Sequence, residues 1–252
     1  FLGSPPLSSD SAFTCHLVVD PLSRHLVING YPGKLQCFSV SSKALVSSHE
    51  VVHFTRVSRS DTGTRVFVPS VSHVAHSQAQ ITSRTSSSTG RFRATVDIKC
   101  GEEMPPITSL KFWATSAAGR NVAGGEWRLK AQVDQPHLGA HVTCIAWNPM
   151  VSPEAAPVLA TGGSDGSVRV WRNGNCDGRS WACAYSITYR NTDVGALSFC
   201  SDGSIMAIAH RNVISLWDFH HTALKGTVVL PSNSNVTHVS FVEPRKAPTM
   251  GG

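Results

Sequence analysis

Residues 139–171 read GAHVTCIAWNPMVSPEAAPVLATGGSDGSVRVW, and the order of runs and turns within them decides the fold class. An alternating run, HVTCIAW (141–147), leads through a Pro-containing loop into a second run, VLATGG (158–163). A Ser-Asp-Gly turn at 164–166 returns the chain into SVRVW (167–171). Alternation with a period of two, broken by Gly-bearing turns, is the pattern of short antiparallel strands with one buried face.

The order Gly and His, then a small hydroxyl residue, then Asp in a tight turn, then Trp resembles one blade of a WD-repeat β-propeller. The resemblance implies a buried polar chain made by His141 at the entry to the blade, Thr161 on the second strand, Asp165 in the turn and Trp171 on the third strand. In it Asp accepts from His, His meets the hydroxyl, and the hydroxyl meets the indole N–H. Such charge-assisted bonds are worth roughly 1.5–3 kcal/mol each and hold the register of strands that otherwise slip. A Ser/Thr-His-Asp catalytic triad uses the same residue types. Trp171 would fill the space an oxyanion pocket needs, so the residues are read as structural.

Composition agrees with an all-β protein rich in turns: 252 residues, 41% hydrophobic and 15% charged, with 20 Gly and 14 Pro. No run of about twenty apolar residues is present to span a membrane. FLGSPPLSSDSAF at the start lacks the basic n-region and apolar core of a secretory signal. The seven cysteines are odd in number and without a CxxC pair; they read as reduced thiols in a reducing compartment. The net charge of +6 points to an acidic partner, although no block of five basic residues concentrates it.

The chain divides into unequal units. Residues 1–12 read as a linker or the end of a preceding blade, and 13–252 as a partial propeller. Its blades fall at about 13–52, 65–137, 138–190 and 194–230, with an incomplete fifth at 235–252. Phe38 stands where a third-strand Trp is expected, and a Pro-Pro insertion precedes Trp113. Counting back from Trp217 puts Arg211 in the place of Asp165 and Ala207 in that of Thr161, while Trp217-Asp218 keeps the WD dipeptide. The full polar network is thus expected in one blade only. Four blades and a fraction leave edges open, and the missing blades are expected from other parts of a longer polypeptide.

Candidate sites are few. His73 and His76 lie three apart, on opposite faces of a strand, with no third ligand nearby. His220 and His221 read as exposed turn residues. GGSDGS lacks the GK[ST] ending and the helix of a phosphate cradle. No metal or cofactor is expected, and no motif supports catalysis or a small-molecule substrate. ITSRTSSSTGRFR (81–93) sets Arg84, Arg91 and Arg93 among hydroxyl residues, with Phe92 between the last two arginines. It is a candidate RNA-contacting loop, its arginines meeting phosphates and Phe92 stacking on a base, or else a solvated loop.

Longer phrases are more specific. LVVDPLSRHLVINGYPGKLQCFSV, LKFWATS, the 139–171 blade and WACAYSITYRNTDVGALSFCSDGSIMAIAHRNVISLWDF occur in an order that resembles the second half of the WD repeat-containing protein 75 family. That resemblance implies a nucleolar scaffold in the t-UTP (UTP-A) subcomplex of the small-subunit processome. Other WD-repeat subunits would be its partners, and pre-rRNA or snoRNA a further one. The rival expectation is a WD-repeat adaptor outside ribosome assembly, such as a ubiquitin-ligase substrate receptor.

Overall fold

The computed structural model describes residues 17–20, 23–31, 33–52, 68–76, 81–82, 89–100, 106–116, 127–149, 156–174 and 179–242. Alternating, β-branched and aromatic runs form strands, and Gly, Pro and polar clusters break them. The first sheet holds β1 (Leu17–Val19), β2 (Leu26–Tyr31), β3 (Lys34–Ser39) and β4 (Ala44–Glu50) in that order. The second holds β5 (Val68–His76), β7 (Thr89–Cys100), β8 (Ile107–Ser116) and β9 (Trp127–Asp134), with β6 (Ile81–Thr82) added to β7. The third is β10 (Val142–Trp147), β11 (Val158–Gly163), β12 (Ser167–Asn173) and β13 (Trp181–Thr188). The fourth is β14 (Val194–Phe199), β15 (Ile205–His210), β16 (Val213–Asp218) and β17 (Ala223–Val229). All pairings are antiparallel, and the four sheets are the blades of an all-β propeller.

One irregularity recurs. In each outer hairpin the register shifts immediately before the third-strand aromatic: at Cys37/Phe38, Phe112/Trp113, Val170/Trp171 and Leu216/Trp217. A bulge there raises the local twist and re-aims the aromatic side chain. Opposite the four aromatics on the second strands stand Leu26, Arg93, Leu159 and Met206. In the second to fourth sheets this aromatic row faces the preceding sheet. We call that side the leading face, and the other the trailing face.

Apolar cores fill the three seams. Val27 and Leu35 of the first sheet meet Val71, Val74 and Trp113 of the second. Phe92, Leu110 and Phe112 meet Trp147, Leu159, Trp171 and Trp181, with Phe112 and Trp181 stacked at 3.9 Å. Val168, Val170 and Ile187 meet Val194, Phe199, Met206 and Ile208. Each such side chain, fully buried, contributes about 1.5–3 kcal/mol. Polar bonds lace the inner strands across the same seams. Asn29 Nδ2 donates to the Val71 carbonyl, His73 Nε2 lies 2.8 Å from the Thr143 carbonyl, and Thr143 Oγ1 donates to the Val194 carbonyl.

Residues 235–242, expected to be the inner strand of a fifth blade, join no ladder. The segment nevertheless lies where such a strand belongs. Val236 N donates to the Arg211 carbonyl at 2.7 Å, and a Cβ added to Gly195 would stand 2.5 Å from the Val236 oxygen. Gly195 follows Val194 as Thr143 follows Val142, so Val236 meets the fourth sheet much as Val194 meets the third. Beyond that bond the described part of the segment takes no strand pairing, and Phe241 is 38% and Val242 88% exposed.

Candidate functional site

The most organised polar group is in the third sheet. Trp171 Nε1 donates to Thr161 Oγ1 at 3.0 Å, and Thr161 Oγ1 lies 2.9 Å from His137 Nε2. His137 Nδ1 lies 3.1 Å from Asp165 Oδ1, which also accepts from the Ser167 amide and hydroxyl. A neutral imidazole with its proton on Nδ1 satisfies every member: it donates to Asp165 and accepts from Thr161, leaving Thr161 to accept from the indole. Burial lowers the His137 pKa against the pull of Asp165, which keeps the ring in that neutral form. Burial would raise the Asp165 carboxyl, but the Ser167 amide and hydroxyl and His137 outweigh it and hold it below its usual value.

The histidine of this chain is His137 and not His141, which corrects the sequence expectation. His141 is exposed, and its bonds are backbone ones to Ser164: its N–H donates to Ser164 Oγ and its carbonyl accepts from the Ser164 amide. The reason lies in residues 135–140. Gln135 and Leu138 adopt left-handed backbone, as does Gly139, and this turn swings His137 inward. Gly163 leaves room for it, since a Cβ there would stand 2.3 Å from His137 Nδ1.

The other sheets solve the same problem differently. In the second, Trp113 Nε1 donates to Thr95 Oγ1 at 3.0 Å, so the hydroxyl–indole pair is not confined to one blade. Two residues further along β7, buried Asp97 faces Lys111 Nζ at 2.9 Å, and the same ammonium donates to the Val51 carbonyl. Burial raises the Asp97 pKa against the Lys111 charge. In the fourth sheet the β15–β16 turn is one residue shorter than the β11–β12 turn. Ile208, not Ala207, therefore matches Thr161 across the ladder. The hydroxyl comes from Ser215 on the opposite strand, which accepts from Trp217 Nε1 at 3.0 Å. His210 fills the place corresponding to Gly163, its Nδ1 3.2 Å from the Thr192 carbonyl. Asp218 caps the following turn by accepting from the amides of His220 and His221.

The proposed RNA-contacting residues are not assembled into a loop site. Phe92 is 4% and Arg93 1% exposed on β7, which has sheets on both sides. Phe92 packs towards Trp147 and Trp181 of the third sheet, and the Arg93 guanidinium sits 4.0 Å above the Trp127 ring. Period-two alternation through 92–96 marks a strand with one buried face; the structure covers the other face as well, and that is what buries Arg93. Arg84 and the Arg91 side chain lie outside the described residues.

Among the described residues no group of three His, Cys, Asp or Glu could hold a metal, and no helix is long and apolar enough to cross a membrane. Cys37, Cys144, Cys183 and Cys200 are free thiols, and burial pushes Cys144 up to about 12. Thr161 is 0% exposed, so a substrate cannot reach its hydroxyl. The triad-like set therefore tethers an indole.

Four-stranded antiparallel blades, each with a bulged third-strand aromatic, and a His–Asp–Thr–Trp chain in one of them define a WD-type β-propeller. The family described as "WD repeat-containing protein 75 second beta-propeller" matches residues 17–245. The chain belongs to the WD repeat-containing protein 75 family. It is 29% identical to WD repeat-containing protein 75 of Xenopus laevis over 224 residues, covering 85% of the chain and 24% of that relative. The Mus musculus and Homo sapiens relatives of the same name are 25% and 23% identical over 226 residues, covering 88% of the chain and 25% of each relative. The chain thus spans about a quarter of the length of these relatives.

Proposed function

We propose that this chain is a non-catalytic scaffold portion of a nucleolar small-subunit processome subunit. It would support pre-rRNA transcription by RNA polymerase I and small-subunit rRNA processing. Its partners are other WD-repeat subunits of the t-UTP (UTP-A) subcomplex, with pre-rRNA or snoRNA in the same assembly. The observation that carries the reading is the family match over 17–245. The site adds support: its best-organised polar residues are buried and spent on holding strands together, as a scaffold requires. The net charge of +6 suits an assembly built around RNA. Any RNA contact uses surfaces other than Phe92 and Arg93.

The test is affinity purification of the tagged protein from cells, with identification of co-purifying proteins and RNA. Recovery of processome WD-repeat subunits together with pre-rRNA is the expected result. A cullin-type ligase in their place, or no RNA, overturns the nucleolar reading and leaves the propeller intact.

A further inference from the structure

We propose that exposed cations at one end of the four outer hairpins form a basic rim that tracks the phosphate backbone of single-stranded RNA. That the polyanion is RNA rests on the processome reading above; the rim itself rests on the internal repeat of the structure. In every sheet the third strand leads into the fourth at the same end, and each outer hairpin carries an exposed cation there. Lys43 closes the β3–β4 turn, and Arg128 is the second residue of β9. Arg172 is the last residue but one of β12, with Arg179 just before β13. Lys225 sits at the bulge of β17.

The carboxylates described at that end do not cancel this charge. Asp20 is buried and accepts from the Ser23 hydroxyl. Asp202 is turned to the Ser204 amide and hydroxyl in the β14–β15 turn, on the inner half of its sheet. Asp218 accepts from the amides of His220 and His221 and lies 3.1 Å from Lys225 Nζ, yet the lysine side chain stays 56% exposed. An ammonium has three donors, so Lys225 keeps others for a ligand. The opposite end is mixed: Lys34 pairs with Glu50 at 3.8 Å, and Arg190 and Arg211 share the turns with Asp165 and Asp193. Among the described residues the excess of positive charge therefore lies on one end of the sheets.

One member is held in place. On the trailing face of the third sheet the Arg172 guanidinium lies 5.8 Å from the Tyr185 ring and 5.9 Å from that of Phe219. Aromatic bracing pre-orders the planar fork that suits a phosphate. Cations set one to a blade match a ligand whose charge repeats along its length, whereas a lone phosphate reaches one blade at a time. Contacts of this kind fix position and read no sequence.

The experiment titrates the protein, expressed at the full length of its gene, into a labelled oligouridine of about twenty nucleotides, read by fluorescence anisotropy at about 50 to 200 mM salt. The combined variant Lys43→Gln, Arg128→Gln, Arg172→Gln and Lys225→Gln is expected to weaken binding roughly tenfold or more. Its log–log salt slope should flatten by about 3, since each phosphate contact on a single strand contributes about 0.7. Lys34→Gln, Lys99→Gln, Arg190→Gln and Arg211→Gln together remove the same charge from the opposite end and should leave the slope nearly unaltered. Equal losses in the two variants, no loss in the first, or no binding by the unsubstituted protein overturn the rim. Oligouridine carrying 4-thiouridine gives a reading that needs no variant. After irradiation, cross-links are expected on peptides that contain Arg128, Arg179 or His220 and His221, and cross-links confined to other peptides overturn the proposal. Recovery of pre-rRNA in the purification described above, with the rim disproved, would leave the scaffold reading standing and move the RNA contact elsewhere.

Discussion

The third and fourth sheets have the same strand order, the same bulge before the third-strand aromatic and the same apolar row beside it. They hold that indole in different ways. In the third sheet the hydroxyl sits on the second strand, and a histidine from the preceding loop ties it to Asp165. In the fourth the hydroxyl has moved to the third strand as Ser215, and His210 on β15 meets the Thr192 carbonyl rather than that hydroxyl. The shape of a blade is therefore set by the apolar rows and the bulge. The polar chain is one of several arrangements that keep a buried N–H from being orphaned.

The comparison breaks most readily at the indoles. Trp171→Ala is expected to destabilise by about 3–5 kcal/mol in urea denaturation, as a core aromatic truncation does. Trp217 is half-buried and should lose roughly half as much on the same change. Equal losses would show that the two sheets use their indoles alike. Gly163→Ala comes next, at roughly 2–3 kcal/mol, because the new methyl displaces His137 from its partners. His210→Ala, at the matching place, removes a single bond and should cost about 1–2 kcal/mol. A silent Gly163→Ala would remove His137 from the network.

Ser215→Ala is expected to cost about 1 kcal/mol, less than Thr161→Ala, since Thr161 serves both an imidazole and an indole. The smallest effect is that of acid. His137 and His210 both have pKa values lowered, chiefly by burial, below the ordinary 6.5. Between their folded values and 6.5 the unfolded chain binds more protons, so stability is full above that range and falls as pH drops through it. His137→Gln and His210→Gln should each flatten the decline that sets in as pH falls below the ordinary histidine value of 6.5. A slope unchanged in both variants would locate the acid sensitivity elsewhere. His49 is the next candidate, held down to about 4 by burial and the nearby Arg93.

Strand order and blade character were legible because alternation and turn residues are local signals. Thr161, Asp165 and Trp171 lie within eleven residues across one tight turn, so spacing could place them. His137 could not be placed that way. Its approach depends on two non-Gly residues in left-handed backbone, which no local preference announces. Thr95 was missed because the β7–β8 connection puts 18 positions between it and Trp113, and counting back fails across an insertion. Counting back from Trp217 reaches Ala207 where the ladder has Ile208 for the opposite reason, a turn one residue shorter. Arg93 looked like a nucleic-acid contact because charge is normally exposed; a ring 4.0 Å away lets this guanidinium be buried instead.

The bonds from Asn29 to Val71, from His73 to Thr143 and from Thr143 to Val194 tie the inner strands of the four sheets in series along an open arc. The outer strands β4, β13 and β17 are each held by a ladder along one edge only, with much of their surface exposed. Thermal fluctuation therefore peels the rim while the inner ties hold, and amide hydrogens exchange from the periphery inward. A pull applied to the axial strands meets several short polar ties at once, whereas the same pull on a rim strand opens its hydrogen bonds one after another.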